Sequence, residues 1–242
     1  DAMLMTEGYQ MWLMDSDPLA VFSLLGEALF VETDALYAAP DIIQTELMFP
    51  YIAGRDFAYT LFVAGDGWPL VNAAYDAPPI STEHVLHPER YVGGEAPLAV
   101  GVAPVGDLLG DEYRLVWDRT LGEFYLREHL RLLLPNEIAD PAAAGWGGDR
   151  YLLYFNDDID TTVLVWRLAW DTEADAQEFA ATYRGYNALR FAGPGESWGE
   201  TTCWPGDLET LCLRAGTVET LVIVAPEATM LPDLIASQAP PR

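Results

Sequence analysis

The sequence predicts an α+β fold, in which a helical N-terminal part is followed by a C-terminal antiparallel sheet with a packed helix. In the first half, apolar residues recur at helical spacing between proline and glycine breakers. In the second half, β-type runs separated by turn residues lie at 151–155, 162–170, 208–214 and 218–224. We therefore expect a mainly helical region at 1–141 and a sheet region at 142–242, either as separate regions or as one continuous domain.

Helices are predicted from the first residues of the chain onward. Residues 1–15 carry an apolar stripe, and Asp17 before Pro18 is typical of the start of another helix. Pro50 is expected to end a helix that begins at Asp41, because proline removes a backbone donor. Further helices are predicted at 51–64, 69–75, 82–86 and 118–134.

The connections of the sheet region are predicted from turn and capping residues. Residues 156–158, Asn-Asp-Asp, are expected to form the hairpin between the first two runs. Residues 171–172, Asp-Thr, are expected to cap an amphipathic helix that ends near residue 186. A short helix is predicted at 226–235.

The charge of the chain limits its partners and its working conditions. The formal net charge is −26 over 242 residues, and all 12 basic residues are arginine. Such a surface repels phosphate backbones, so we expect no nucleic-acid partner. The Debye length falls to about 3 Å near 1 M salt, which screens self-repulsion. The sequence therefore predicts a halophilic protein. No run approaches the roughly 20 apolar residues of a bilayer span, so no membrane insertion is expected.

The chain has two cysteines, Cys203 and Cys212, with a Pro-Gly-Asp turn between them. Opposite positions in an antiparallel strand pair lie at a separation that a disulfide tolerates. The alternative is a pair of buried thiols that behave as small apolar groups. We favour the disulfide, which would place the protein outside the cytoplasm.

Two of the three histidines, His84 and His87, lie three residues apart beside Glu83. On one helical face these side chains could ligate a metal ion. The alternative is a capping turn begun by Ser81, in which the histidines bond neighbouring backbone. Pro88 favours the second interpretation, because it disturbs helical geometry at His87. An HExxH spacing is absent.

Other polar groups have ordinary structural explanations beside the chemical ones. Glu27 and Glu123 lie among apolar residues, where burial would raise their pKa, although surface positions on helices are commoner. His129 is expected to be a packed or surface residue. The acidic segment 156–160 could bind calcium, but it lacks the EF-hand pattern and is more typical of a solvated turn.

The segment Gly-Trp-Gly-Gly-Asp-Arg at 145–150 has neither spacing of a phosphate-binding loop. It is predicted to be a structural turn in which Asp149 pairs with Arg150. Trp146 and Tyr151 beside it, with Trp68 and Tyr75, are the aromatic candidates for a substrate-binding groove.

Several segments resemble the C-terminal portion of exported proteins that look like zinc metallopeptidases. The resemblance covers nearly the whole chain, and its most specific parts are STEHVLHPERY (81–91) and GWGGDR (145–150). The other parts are MFPYIAGRDFAYTL (48–61), GWPLVNAAYDAPPI (67–80), LGEF (121–124), AAA (142–144), YLLY (151–154) and WDTEADAQEFAATY (170–183).

The resemblance implies an HExxH helix upstream and a third metal ligand in an EGDA-like segment. Asp1 and Ala2 are similar to the end of that segment. We therefore expect a fragment without its own cofactor, with zinc in a missing N-terminal part and that missing half as a partner. No position of this chain carries a ligand or base of the family.

Three functional hypotheses follow. The first is a non-catalytic C-terminal part of a secreted, salt-adapted, metallopeptidase-like protein of unknown substrate; if it belongs to an enzyme, that enzyme is a zinc hydrolase. The second is an extracellular or cell-surface binding or structural protein without enzymatic activity. The third is an enzyme that uses His84, His87 and a glutamate.

Overall fold

The computed structural model describes residues 1–17 and 34–239. The chain is an α+β protein with helices in its N-terminal part and an antiparallel sheet in its C-terminal part, which confirms the predicted fold class. The chain is divided into two compact units, Asp1–Glu95 and Ala96–Arg242. The second unit, which we call the sheet unit, contains the helices between the first two strands; the division into regions at 1–141 and 142–242 stays a prediction. The predicted helix at Asp17 and Pro18 lies mostly outside the described residues.

The first unit is helical throughout its described part. Its helices are α1 (Ala2–Ser16), α2 (Asp34–Tyr37), α3 (Asp41–Ala64), α4 (Pro69–Asp76), α5 (Thr82–Leu86) and α6 (Pro88–Gly93). Phe57, Leu61 and Val71 form its buried cluster, where α3 meets α4. Among the described helices of the chain, none combines the length and the apolar composition that a bilayer crossing needs.

Pro50 does not end a helix at Phe49, contrary to the sequence prediction. α3 is a helix of 24 residues that continues through this proline to Ala64. An interior proline loses one backbone hydrogen bond and costs about 3 kcal/mol. Burial of Phe57, Ala58 and Leu61 on the same helix offsets this cost, because each buried apolar side chain contributes about 1–3 kcal/mol.

The second unit is built on a seven-stranded sheet in the order β1-β2-β3-β7-β6-β5-β4, and all neighbouring strands are antiparallel. After β3 the chain crosses through a long helix to the far edge at β4 and returns strand by strand to β7. The strands are β1 (Tyr113–Arg119), β2 (Trp146–Asn156), β3 (Thr161–Trp170), β4 (Glu196–Trp198), β5 (Thr201–Pro205), β6 (Thr210–Ala215) and β7 (Glu219–Ala225).

Helices cover both faces of this sheet. The remaining helices are α7 (Gly106–Leu109), α8 (Gly122–Arg131), α9 (Asn136–Ala144), α10 (Glu173–Arg190) and α11 (Leu231–Ser237), and a 3₁₀ turn spans Ala228–Met230. We call the face under α8, α9 and α10 the helical face; Trp146, Trp166 and Trp170 lie in its core. The opposite face, which we call the disulfide face, packs Val165 and Ile223 against α7 and α11.

The predicted helix at 118–134 is wrong at its start. Asp118 and Arg119 belong to β1, where they pair with Leu152 and Tyr151 of β2. α8 begins only at Gly122, whose φ of 82° lies in the left-handed region that glycine favours. Pairing with a neighbouring strand overrides the local helical pattern at this point.

Cys203 and Cys212 form the predicted disulfide. They lie directly opposite each other in β5 and β6, with an S–S distance of 2.06 Å. Both side chains are buried on the disulfide face. The bond therefore joins the two strands inside the core of the second unit.

Removal of this disulfide is expected to destabilise the second unit. The double variant Cys203→Ala/Cys212→Ala should lose about 2–3 kcal/mol of unfolding free energy, because the bond closes a short loop in the unfolded chain. Urea unfolding with and without reductant measures the loss. The wild-type protein should become as unstable as the variant in reductant, whereas the variant should not respond; equal stability of all samples would contradict a stabilising bond.

Candidate functional site

A buried carboxylate, Asp149, forms the most connected polar group of the sheet unit. Its side chain lies on the helical face near the start of β2, and the residue is 4% exposed. Oδ1 accepts hydrogen bonds from the backbone N–H of Gly122 and from Trp146 Nε1, both at 2.9 Å. Oδ2 accepts from the backbone N–H of Leu121 and from Trp166 Nε1, also at 2.9 Å. Each carboxylate oxygen therefore has two N–H donors.

These contacts tie three elements together through one side chain. Leu121 and Gly122 lie at the N-terminus of α8, where a negative group satisfies unpaired N–H groups and opposes the positive end of the helix dipole. Trp166 lies on β3. Burial raises the pKa of the Asp149 carboxyl, and the four N–H donors act in the opposite direction.

Gly147 and Gly148 are part of β2, so the predicted turn at 145–150 is wrong from Trp146 onward. The strand begins at Trp146, with an irregularity between Trp146 and Gly148. A Cβ atom on Gly148 would lie 2.4 Å from the carbonyl oxygen of Leu98. Leu98 also donates its N–H to the carbonyl oxygen of Gly147 at 2.7 Å. The glycines therefore allow the backbone of Leu98 to lie directly against the strand.

Arg150 does not pair with Asp149, as the sequence had suggested. Its Nε and Nη2 donate to both carboxylate oxygens of Asp118 on β1, at 2.6 and 2.7 Å. Successive side chains of a strand point to opposite faces, so Arg150 lies on the disulfide face, away from the Asp149 carboxylate. Local sequence proximity was therefore misleading here.

A cleft of about 350 Å³ opens beside this network, lined by Leu98, Ala99, Val100, Asp118, Arg119, Thr120, Asp149 and Arg150. We call it the β1–β2 cleft. The hydroxyl of Thr120 donates to the backbone carbonyl of Asp149 at 3.0 Å. The guanidinium of Arg119 lies 6.0 Å from the ring centroid of Trp117, which is half-exposed. A cation beside an aromatic ring and hydrogen-bonding groups at the rim are suited to binding a polar ligand.

Residues 113–234 match the family described as "Domain of unknown function (DUF8575)". The chain belongs to this family. The match begins at β1 and ends in α11, so it contains the whole sheet and the Asp149 network. No curated protein and no solved structure matches the chain.

The predicted metal-binding side chains are engaged in protein contacts. Nε2 of His84 lies 2.8 Å from the carbonyl oxygen of Glu95, and the N–H of Ile80 donates to its Nδ1 at 3.5 Å. Arg90 Nη1 donates to the buried Glu83 carboxylate at 2.5 Å. A metal ion would have to displace these partners.

His87, the third member of that set, faces a different carboxylate. Its Nδ1 lies 3.6 Å from Glu89 Oε1. Ser81 Oγ accepts the backbone N–H of His84 at 3.1 Å, which confirms the predicted cap. The metal site of His84, His87 and Glu83 stays a prediction.

The four predicted groove aromatics have different environments. Trp146 is buried and donates to Asp149, whereas Tyr151 is partly buried on the same strand. In the first unit, Trp68 packs edge-on against Phe62. The exposed Tyr75 hydroxyl donates to a carboxylate oxygen of Asp1 at 2.5 Å. A groove that contains all four stays a prediction.

Three further candidates for a chemical role are His129 and Glu123, which lie in α8, and Glu27. His129 packs 4.6 Å from the ring centroid of Tyr186, and burial, together with the charge of Arg190, lowers its pKa to about 4. This histidine is therefore neutral near pH 7, in agreement with the predicted packed role. Glu123 is buried. Glu27 lies outside the described residues.

The predicted hairpin is present, but its connection spans 157–160, because Asn156 ends β2 and pairs with Thr161 of β3. The backbone N–H of Asp158 donates to Asn156 Oδ1, and Asp157 accepts both Nε and Nη2 of Arg114. This ion pair supports the structural interpretation of the acidic segment. Calcium binding there stays a prediction.

Sequence reasoning missed three residues that line the β1–β2 cleft, namely Asp118 and Arg119 of β1 and Thr120, which follows the strand. A strand signal was present upstream, because Tyr113, Val116 and Trp117 favour strands. The helical spacings of Glu123 to Arg127 and of Glu128 to Arg131 favour a helix further along the chain, and the predicted helix at 118–134 also covers the end of this strand.

Replacement of the buried carboxylate is expected to destabilise the protein strongly. Asp149→Asn places an amide N–H₂ opposite two of the four N–H donors, which then lose their acceptor. We expect a loss of about 2–4 kcal/mol in the free energy of unfolding. Urea unfolding measures this loss, since urea does not change the ionic strength. The matched control is Asp158→Asn in the exposed hairpin, which should change stability by less than about 0.5 kcal/mol; equal effects would contradict the structural role of Asp149.

Proposed function

We propose that this chain is the non-catalytic C-terminal part of an exported, salt-adapted protein that resembles zinc metallopeptidases. The observation that carries the proposal is the saturation of Asp149 by four N–H donors. Asp149 belongs to one of the two segments on which the resemblance is most specific. A carboxylate held in this way maintains the fold and has little capacity to exchange protons with a substrate.

The second specific segment, at 81–91, supports the same proposal. Glu83 and His84 are buried and bonded within the first unit. Their roles are those of polar groups that connect α5 to α6 and to residue 95. Both segments that resemble the metallopeptidase-like proteins therefore act as structural parts, and zinc is proposed for a part of the protein that precedes this sequence.

The disulfide supports the proposed location outside the cell or on its surface. Disulfides such as that between Cys203 and Cys212 persist in oxidising compartments, and cytosolic thiols are kept reduced. Its burial between β5 and β6 is typical of a bond that stabilises a fold. We propose the extracellular or cell-surface location on this ground.

The distribution of charge supports salt adaptation. Arginines of the sheet unit form ion pairs with carboxylates, among them Arg114–Asp157, Arg131–Asp140, Arg150–Asp118 and Arg190–Glu209. The sequence has 38 acidic residues against 12 arginines, so these pairs neutralise a minority of the carboxylates. The others repel one another at low ionic strength, and salt weakens that repulsion.

The midpoint of thermal unfolding is therefore expected to rise with salt. We expect an increase of several degrees between about 0.1 M and about 2 M KCl, because the Debye length shortens from about 10 Å to less than 3 Å. The increase should be reached at similar ionic strength with NaCl, which distinguishes screening from a specific potassium effect. A midpoint that falls with added salt would contradict the proposed adaptation.

A second candidate function is an extracellular binding protein without enzymatic activity. The β1–β2 cleft favours it, because its lining residue Arg119 presents a guanidinium beside the half-exposed Trp117. This candidate needs no missing catalytic half. It agrees with the first candidate in assigning no catalysis to this chain.

Zinc content and peptidase activity test both candidates against an enzyme that uses His84 and His87. The purified chain, incubated with zinc sulfate and dialysed in 2 M KCl, should retain less than one equivalent of zinc and should not hydrolyse labelled casein. The His87→Ala variant should give the same values. One equivalent of zinc in the wild-type chain that is lost in this variant would overturn the non-catalytic proposal.

The reading frame of the gene separates the two candidates from each other. An HExxH segment encoded upstream supports the metallopeptidase-like protein, and an upstream region without it favours the binding protein.

A further inference from the structure

A second cleft lies on the disulfide face, around the arginine of the central strand β3. It has a volume of about 270 Å³ and is lined by Ala99, Gly101, Ala103, Arg167, Glu219, Gln238 and Ala239. We call it the Arg167 cleft. Its small lining residues leave space beside the guanidinium. Its volume is near the lower end of the range for small-molecule sites, about 300 Å³.

A second arginine, Arg214, does not line the cleft but donates to one of its lining residues, Ala239. Arg167 of β3 and Arg214 of β6 both pair in register with Leu221 of β7, so all three lie in one row on the same face. Nη2 of Arg167 and Nη2 of Arg214 both donate to the carbonyl oxygen of Ala239, at 2.6 and 3.0 Å. One oxygen atom is thus held between two guanidinium groups.

Both guanidinium groups retain donor capacity inside the protein. Arg167 is 5% exposed, and its Nε lies buried with no hydrogen-bond partner in the described part of the chain. The same is true of Nε of Arg214. An unsatisfied buried donor is costly, and this cost is greatest for charged groups. Two such donors in neighbouring cations are uncompensated inside the protein, so an acceptor that reached them after a local rearrangement would be stabilised.

The charge at the cleft favours a singly charged anion. Glu219 Oε2 accepts from Arg167 Nη1 at 3.0 Å and neutralises that arginine. Arg214 forms no ion pair within 4 Å in the described residues, although Glu200 lies near enough to influence it electrostatically. Burial and the adjacent Arg167 charge lower the pKa of Arg214. Arg167, Arg214 and Glu219 together therefore carry one net positive charge, whereas the whole protein has a net charge of −26.

We propose that the Arg167 cleft is a binding site for a small monocarboxylate, held by Arg167 and Arg214. A carboxylate matches the planar donor geometry of a guanidinium and can bond it in a bidentate manner. Ala99 and Ala103 provide a small apolar wall for the rest of such a ligand. This assignment goes beyond the proposed function and does not depend on it.

The carbonyl of Ala239 occupies the position that a ligand oxygen would take. A neutral carbonyl oxygen is a weaker acceptor for a guanidinium than a carboxylate oxygen. Binding is therefore expected to replace the Ala239 contact, while Gln238 keeps its separate bonds to the backbone N–H and carbonyl of Ala103, at 3.0 and 2.9 Å.

The test is a titration of carboxyl-labelled ¹³C-propionate with the protein in 2 M KCl, followed by the width and shift of the ¹³C signal. The wild-type protein should give saturable binding. Arg214→Gln should bind propionate more weakly, with a dissociation constant about tenfold higher than that of the wild type, as expected for the loss of a charge-assisted hydrogen bond. The matched control is Arg184→Gln on the exposed surface of α10, which makes the same charge change and should bind propionate like the wild type.

A second variant leaves both arginines in place. A Cβ on Gly101 would meet no atom within 4 Å, so Gly101→Leu fills open space at the cleft without a clash at the Cβ. This variant should also lose binding while it keeps the wild-type midpoint of urea unfolding. Arg214→Lys keeps the charge but not the planar geometry and should bind with intermediate affinity.

Three results would overturn the assignment. The first is the absence of saturable propionate binding by the wild-type protein. The second is equal affinity in Arg214→Gln and Arg184→Gln. The third is displacement of propionate by inorganic phosphate at lower concentration than by unlabelled propionate, which would assign the site to a doubly charged anion instead.

Discussion

The sheet unit depends on the hydrogen bonds of one buried carboxylate. Asp149 on β2 accepts from the first turn of α8 and from tryptophans that belong to β2 and β3. Its burial is unfavourable by itself, as the raised pKa of this group indicates. Because all four donors come from different positions of the chain, the favourable geometry exists only when helix and strands are assembled. The same side chain therefore makes a misplaced helix α8 costly, since the N–H groups of Leu121 and Gly122 would lose their acceptor and the buried carboxylate would lose two of its four donors.

The sequence predicted those features that depend on neighbours along the chain. The Cys203–Cys212 pair across a strand pair and the cap at Ser81 follow from local spacing, and both are present. Features decided by distant contacts were not accessible. Pro50 looks like a helix end until the packing of α3 is known, and β1 is a strand because β2 lies beside it. The role of Asp149 was hidden for the same reason, because Leu121 and Trp166 come from other elements.

The exclusive use of arginine fits the way positive charge is employed in this protein. Arg114 and Arg150 each hold one carboxylate through two parallel hydrogen bonds, a geometry that lysine cannot reproduce. Arg167 and Arg214 use the same planar group in a less hydrated place, where the weaker hydration of guanidinium lowers the cost of burial. Positive charge is thus used at defined positions, and the general surface is left to carboxylates.

The order of the strands has a consequence for how the chain reaches its native state. β3 receives its second neighbour from β7, which is near the end of the chain, while β4, β5 and β6 between them in sequence lie further out. A chain that emerges from its N-terminus therefore holds β3 with one side unpaired until the last strand is available. Such an open edge can associate with other chains. Pairing between strands that are far apart in the sequence is also slow, because the chain loses the entropy of the intervening loop before the strand contacts stabilise it. Slow synthesis would thus prolong the exposure of this unpaired edge to aggregation, at a stage when most of the residues have already been made.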